Sequence, residues 1–512
     1  MAEGRPAPEH LDVVIIGAGL SGIDAAHHVR TSCGWAAYTV LEARGSLGGT
    51  WDLFRYPGIR SDSDMFTLGY PWRPWSGEES IAEGADILRY LEDTAVEEGI
   101  DRHIRFHHRV VRAEWSSAEG RWTLVVERGD PESGPPERVE LTCTWLLSCT
   151  GYYRYDRGHL PDFDGLTDYR GTLVHPQEWP EDLDVDGRRV VVIGSGATAI
   201  TLVPALADRG AQVTMLQRSP TYLVSLPRTN PVTRRIRRLL PRRWEAAALK
   251  WSNVATSSLF YELSRRRPGA VKRVLRAGVA RELPSDFDVA THFSPHYDPW
   301  DQRLCVVTDG DLFRAIREGR VEVVTDHVGR FTGDGIELRS GRHLPADVVV
   351  TATGLDLLFL GGVELTVDGE KIDPSERLAY RGMMLEGVPN LSMLVGYTNA
   401  SWTLKADLAA GFTARLLNEL RAVGARAVTP EVDGTAGESR PLLGLTSGYV
   451  QRSADRFPRQ GARGPWRMLQ SYVADRRLFG RPGFDEALVF SGPAGPSASV
   501  PVSAPVAGES RR

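Results

Sequence analysis

Short apolar blocks recur along the chain, each closed by glycine or polar residues, and stretches with helical spacing separate most of them. The blocks are Val13–Ile16, Thr39–Leu41, Trp122–Val126, Trp145–Ser148, Val190–Ile193, Gln212–Leu216, Val321–Val324 and Val348–Val350. Strands alternating with helices predict an α/β chain built on parallel sheets. Two strands end alike, in Cys149-Thr150-Gly151 and Ala352-Thr353-Gly354, which suggests where the chain quits a first domain and returns to it. The expectation is a discontinuous first domain at 10–150 and 345–490 and a second domain at 151–344. Residues 225–300 interrupt the second domain as a helical, proline-punctuated insertion. The segment 491–512, built from Pro, Ala, Ser, Gly and Val, reads as a disordered tail.

Each domain carries a glycine turn between strand and helix. The first is Gly17-Ala18-Gly19-Leu20-Ser21-Gly22. Gly17 makes the tight turn, Gly19 lets backbone approach a pyrophosphate, and Gly22 lets the helix pack on the strand. Ser21 lies at the helix start, where free N–H groups favour an anion. Twenty residues past Gly22 the next strand ends in Glu42, placed to accept a ribose 2′-hydroxyl and to repel a 2′-phosphate. The second turn is Gly194-Ser195-Gly196-Ala197-Thr198-Ala199, and its following strand ends in Arg218-Ser219, with no acid at the ribose position. Guanidinium and hydroxyl suit a 2′-phosphate. The pair therefore reads as two Rossmann-like dinucleotide-binding domains, the first for FAD and the second for NADPH.

Bulk properties add limits. The 512 residues suffice for two or three domains, and 42% apolar content, 25% charge and a net charge of −5 give no global attraction to nucleic acid. The four cysteines, Cys33, Cys143, Cys149 and Cys305, form no C-x-x-C pair and no metal-ligand spacing. They are expected as free thiols in a reducing compartment, with no metal bound. Met1–His10 has no secretory pattern and no apolar run approaches the roughly 18 residues of a membrane span, so a cytoplasmic setting is expected. Charge is uneven, however: Arg228 to Arg281 holds fifteen Lys or Arg against two acids, a net of +13 that leaves −18 elsewhere. That segment reads first as a solvated helical face, then as a peripheral contact with an anionic membrane, and last as a nucleic-acid contact.

From Leu11 to about Phe479 the chain resembles the Baeyer–Villiger branch of the FAD- and NADPH-dependent flavin monooxygenases, most closely the ethionamide-activating type. The branch fingerprint F-x-G-x-x-x-H-x-x-x-W-P stands here as Tyr169 to Pro180, with Gly171, His175 and Trp179 in place and Tyr for the leading Phe. Gly48 to Asp64 matches as well. By that resemblance Gly49, Thr50, Trp51, Asp52 and Leu53 line the flavin, and Arg60, Ser61 and Asp62 lie where flavin and nicotinamide meet. Val110 matches the residue whose backbone meets the FAD adenine. Arg303, in His296 to Leu304, matches the active-site arginine, with Asp62 as the acceptor that holds it. Gln302 stands where many members carry a lysine for the 2′-phosphate. The helical Leu404–Leu417 follows Gly396–Trp402 and is expected to point its N-terminus at the flavin.

The resemblance implies FAD reduction by NADPH, addition of O₂ to give a C4a-peroxyflavin, and insertion of oxygen beside a ketone carbonyl to give an ester or lactone, with thioether oxygenation also accessible. His175 is expected to link domain motions rather than to touch substrate. A flavin-containing N- or S-oxygenating enzyme is the alternative, and a non-catalytic FAD/NADPH redox sensor is a more distant one. A flavin disulfide reductase would need a close cysteine pair.

Overall fold

The computed structural model describes residues 8–130, 132–434, 436–492 and 495–496. The apolar blocks resolve into two sheets. The first is built around β1 (Glu9–Ile16), flanked by β2 (Tyr38–Leu41) and, beyond it, β3 (Ile104–Arg105). On its other side lie β6 (Glu137–Ser148), β5 (Arg121–Arg128) and β4 (His108–Ser116). Glu364–Val367 extends the β4 edge and Leu391–Met393 pairs with β6, both in parallel. β1 is buried on both faces. Val13 and Ile15 pack with Ala25, Ala26 and Val29 of α1 (Leu20–Ser32), while Val14 and Ile16 pack with Trp115, Trp122 and Leu124.

The second sheet has the order β10-β9-β8-β11-β7, where β7 is Thr172–Val174, β8 Arg189–Ile193, β9 Gln212–Gln217, β10 Val321–Thr325 and β11 Val348–Thr351. All its pairings are parallel. Val190 and Val192 pack on α2 (Ala197–Asp208), and Val191 and Ile193 on Phe331, Ile336 and Leu338 of a small antiparallel sheet. The insertion consists of α3 (Pro231–Leu239), α4 (Arg242–Arg266), α5 (Pro268–Glu282) and a last turn at Val289–His292. A parallel pair of strands, Leu223–Leu226 and Cys305–Thr308, brackets it. Much later, α6 (Trp402–Val423) returns to pack along α1 through Ala406 and Ala410.

Three sequence expectations change. Parallel pairing fails at β4, β5 and β6, which form an antiparallel meander, because links of a few residues cannot carry a parallel crossover. Residues 348–351 belong to the second sheet, so the chain returns to the first after Thr351 rather than at 345. Asp347 holds that strand there by accepting from Arg189 Nη2 at 2.6 Å. The segment 491–512 does not begin as a tail: Ser491 pairs with Ala427 and with Pro496, while 493–494 and 497–512 lie outside the described residues. All four cysteines are buried and free, and among the described residues no helix is long and apolar enough to cross a membrane.

Candidate active site

The first turn needs its glycines for space. Gly17 has φ +100°, and a Cβ there would sit 2.7 Å from the Cys149 carbonyl oxygen; a Cβ on Gly22 would lie 1.8 Å from the Gly17 oxygen. Strand, turn and helix are thus in backbone contact, and the turn opens on a cavity of about 670 Å³. That size falls within the ~300–1,000 Å³ usual for cofactor and small-molecule sites. The first residues of α1, α2 and α6, namely Leu20, Ala197 and Trp402, all line it. Three helix N-termini with unpaired N–H groups therefore face one space, which favours an anionic, phosphate-bearing occupant. Trp402 Nε1 donates to Ser21 Oγ at 2.8 Å and locks two of these termini together.

Gly17, Gly19, Ser21, Glu42, Gly49, Thr50, Trp51, Leu53, Arg60, Ser61, Asp62, Val110 and Arg303 line this cavity, joined from the second turn by Ala197 and Thr198. The remaining expected contacts do not. Gly22 lies behind the turn, and the Asp52 carboxylate is taken by Ser46 Oγ and by Arg44 and Arg55, each at 2.8 Å. Asp52 therefore braces its own loop through Ser46, Arg44 and Arg55 and does not line the cavity. Gly194, Ser195, Gly196, Ala199, Arg218 and Ser219 gather separately around the second turn, where Ser195 Oγ donates to the Ser219 carbonyl at 2.9 Å. A Cβ at Gly196 would meet nothing within 4 Å, which leaves room for a ligand against the backbone.

Electrostatics differ from residue to residue. Glu42 is buried and accepts N–H bonds from Ala18 at 2.7 Å and Arg44 at 2.9 Å. Burial raises its carboxyl above the ordinary value, against those two bonds. Arg303 Nη1 lies 3.4 Å from Asp62 Oδ2, with the side chains 34% and 31% exposed. Asp62 pushes the guanidinium further into its charged form. Arg60 forms a two-pronged pair with Asp311 at 2.6 and 3.3 Å and so ties the loop that carries it to the helix Asp311–Arg317. His175 bonds the Gly354 carbonyl through Nε2 at 3.3 Å and accepts from Gln177 N–H through Nδ1; burial lowers its pKa and favours neutral imidazole. Within the fingerprint, the Tyr169 hydroxyl donates to the Ala346 carbonyl at 3.1 Å.

Sequence reasoning missed four contributors. Tyr152, Tyr153 and Tyr449 stand close enough to Arg303 to act on its charge, and burial pushes the Tyr449 hydroxyl up to about 12. Arg452 is near enough to Arg218 to feel its charge; burial lowers its pKa most, Asp356 opposes this, and the like charge of Arg218 adds to it. Tyr152 and Tyr153 had one signal, their place directly after the Thr150-Gly151 strand exit. Tyr449 and Arg452 had none.

Two nucleotide turns feeding adjoining sites define a two-dinucleotide α/β oxidoreductase. Comparison with known proteins is specific. Residues 80–254 match the family described as flavin-binding monooxygenase-like. The chain is 53% identical to the FAD-containing monooxygenase EthA of Mycobacterium tuberculosis over 479 residues, 93% of this chain and 97% of the relative. It is 44% identical to the probable FAD-binding monooxygenase AlmA of an Acinetobacter species, covering 92% and 94%. Its fold matches an oxidised steroid monooxygenase bound to NADP with a TM-score of 0.74 at 23% identity, over 94% of this chain and 100% of that one. It matches cyclohexanone monooxygenase with a TM-score of 0.71 at 20% identity, over 92% and 97%. The chain belongs to the EthA-type FAD-containing monooxygenases.

Proposed function

We propose that this protein binds FAD and NADPH and inserts one atom of O₂ beside a ketone carbonyl, giving an ester or lactone, and that it also oxygenates thioethers. The observation that carries this reading is Arg303, fixed by Asp62 in the wall of a cavity that both nucleotide domains line. A guanidinium cannot lose its charge at working pH, so it presents a permanent cation to the anionic oxygen that a ketone must accept. Asp62 positions it. FAD, once reduced by NADPH, supplies the oxygen-transferring chemistry.

The other residues bind and orient. Glu42 keeps lone pairs for a ribose hydroxyl after meeting Ala18 and Arg44. The backbone at Gly17, Gly19 and Ser21 cradles the FAD pyrophosphate, Thr50, Trp51 and Leu53 wall the flavin, and Val110 meets the adenine beside a register shift in β4. Gly194 to Ala199 take the NADPH pyrophosphate, and Arg218 with Ser219 its 2′-phosphate. His175, bonded to Gly354 where the chain returns to the first domain, links the two domains rather than moving a proton. The domain assignment is 10–150 with 352–492 for FAD, and 151–351 for NADPH. A cytoplasmic setting with peripheral contact to an anionic membrane belongs to the same reading.

Arg303→Ala tests it. Bleaching of the flavin by NADPH should persist, while ester formation from a panel of ketones falls by ~10³ or more. Full ketone turnover in this variant would overturn the assignment.

A further inference from the structure

Oxygen transfer has no use for the outer surface of the helical insertion, and that surface has unusual chemistry. Val232 on α3 is 50% exposed and Leu239 is 75% exposed; seven residues apart, they share a helix face. Leu240 follows at the junction with α4, and Trp244 on its first turn is 58% exposed. Single exposed apolar residues are ordinary, but four large ones within two helical turns and a bend make a patch. Arg234, Arg235, Arg238, Arg242 and Arg243 are exposed around them. None has a carboxylate within 4.0 Å among the described residues, and Arg243 lies over the Trp244 ring at 5.9 Å.

The inner face of the same helices is pinned. Arg237 Nη2 donates to the Gly77 carbonyl at 2.8 Å, its Nε lies 2.9 Å from Glu245, and its guanidinium stacks over Phe66 at 5.7 Å, while Thr233 is buried. Glu245, one of the two acids between 228 and 281, is thereby spent inside. The junction thus projects outward as an apolar wedge ringed by unpaired cations. Further along, Val254 of α4 packs with Tyr397 and Leu404, so the wedge stands roughly 18 Å along one helix from the start of α6.

We propose that the α3–α4 junction docks the protein on an anionic lipid surface, with Leu239, Leu240 and Trp244 entering the acyl–headgroup boundary and the five arginines meeting lipid phosphates. This deepens the peripheral-contact part of the proposed function and does not rest on the role of Arg303. Charge complementarity selects the occupant. A second copy on this face would set arginine against arginine across a two-fold axis, and a nucleic acid backbone would leave the apolar wedge in water. Attachment is peripheral, since no described helix is long and apolar enough to span a bilayer.

The test is co-flotation of the full-chain holoenzyme with phosphatidylcholine vesicles, with and without about one-third phosphatidylglycerol. Recovery is expected with the anionic vesicles only, with release by high salt. Arg242→Glu/Arg243→Glu should weaken partition by roughly 25-fold or more, at ~1 kcal/mol per cation near an anionic surface. Leu239→Ser/Trp244→Ser should weaken it as well. Both double variants should keep wild-type bleaching of the flavin by NADPH in solution, which separates failure of docking from failure of the reaction. Absence of flotation with either vesicle, or equal flotation with both, would overturn the proposal. So would a dimer in sedimentation velocity that Leu239→Ser/Trp244→Ser dissociates, since a second copy would then cover the face.

Discussion

The two nucleotide turns share one local design and differ in enclosure. Around the first, Gly19 faces Gly49, the Glu42 carboxylate is buried under two backbone donors, and Trp402 closes over Ser21. Around the second, Gly196 borders open space, and Arg218 and Ser219 are exposed. An enclosed site holds a resident group, because release requires the surrounding loops to open; an exposed site built on a guanidinium exchanges its ligand readily. That contrast is what a monooxygenase with a permanent FAD and a consumable NADPH requires.

The largest test of the contrast is Gly22→Ala. The added Cβ would meet the Gly17 oxygen at 1.8 Å, so the turn must move. The variant should purify largely without flavin, read as the visible-to-ultraviolet absorbance ratio; full yellow occupancy would refute the enclosed site. The second turn already carries a buried Cβ at this place, Ala199. Ala199→Gly should cost only about 1 kcal/mol of helix stability and keep its flavin.

Next in size is the exchangeable side. On the proposed reading Arg218→Ala removes a charge-assisted contact to the 2′-phosphate, a loss of ~1.5–3 kcal/mol, so KM for NADPH should rise about 10- to 100-fold while KM for NADH stays unchanged. Equal effects on both nucleotides would move the 2′-phosphate elsewhere, with Arg452 the neighbouring cation to examine. Gln302 supplies no charge that would mask the result.

What the sequence made legible follows from the range of each interaction. Both turns, the Glu42 against Arg218 contrast, and four strands in each of the two sheets are local patterns, readable within about twenty residues; β3, β4, β7 and the strands at Glu364–Val367 and Leu391–Met393 were not among the apolar blocks. Arg303 and Asp62 came from the family motif alone; no periodicity brings residues 62 and 303 together. Arg60 with Asp311, Tyr449 beside Arg303 and Arg452 beside Arg218 went unseen for the same reason, since each joins segments from different domains or distant loops. Asp52 sits between Trp51 and Leu53, which line the cavity, yet its carboxylate turns to Ser46, Arg44 and Arg55, partners that no periodicity announces. The 345 boundary fell short because β11 is as apolar as a first-domain strand, and its pairing with β7 and β8 assigns it to the second sheet.

The smallest effect on turnover separates the two helices behind the turns. Seven residues past Gly17, α1 carries Asp24, wholly buried with Oδ2 unpaired; seven past Gly194, α2 carries the neutral Thr201. Burial, reinforced by Asp407 and opposed by His28 and the Trp72 N–H, pushes the Asp24 carboxyl up to about 8. A carboxyl raised in the folded state binds its proton more tightly there than in the unfolded chain. Its stabilising contribution is therefore complete below the unfolded value of 3.8 and disappears as pH rises toward 8. Asp24→Asn keeps the shape and removes the proton. The variant should match wild type near pH 4, gain on it by at most ~1.4 kcal/mol per pH unit above that, and stop gaining beyond pH 8, with flavin content and ketone turnover at neutral pH unchanged. Thr201→Val on α2 should show no such pH dependence. Parallel melting curves for Asp24→Asn and wild type from pH 4 to 9 would mean that Asp24 stays ionised, held by His28, and that the first turn is no more sealed from charge than the second.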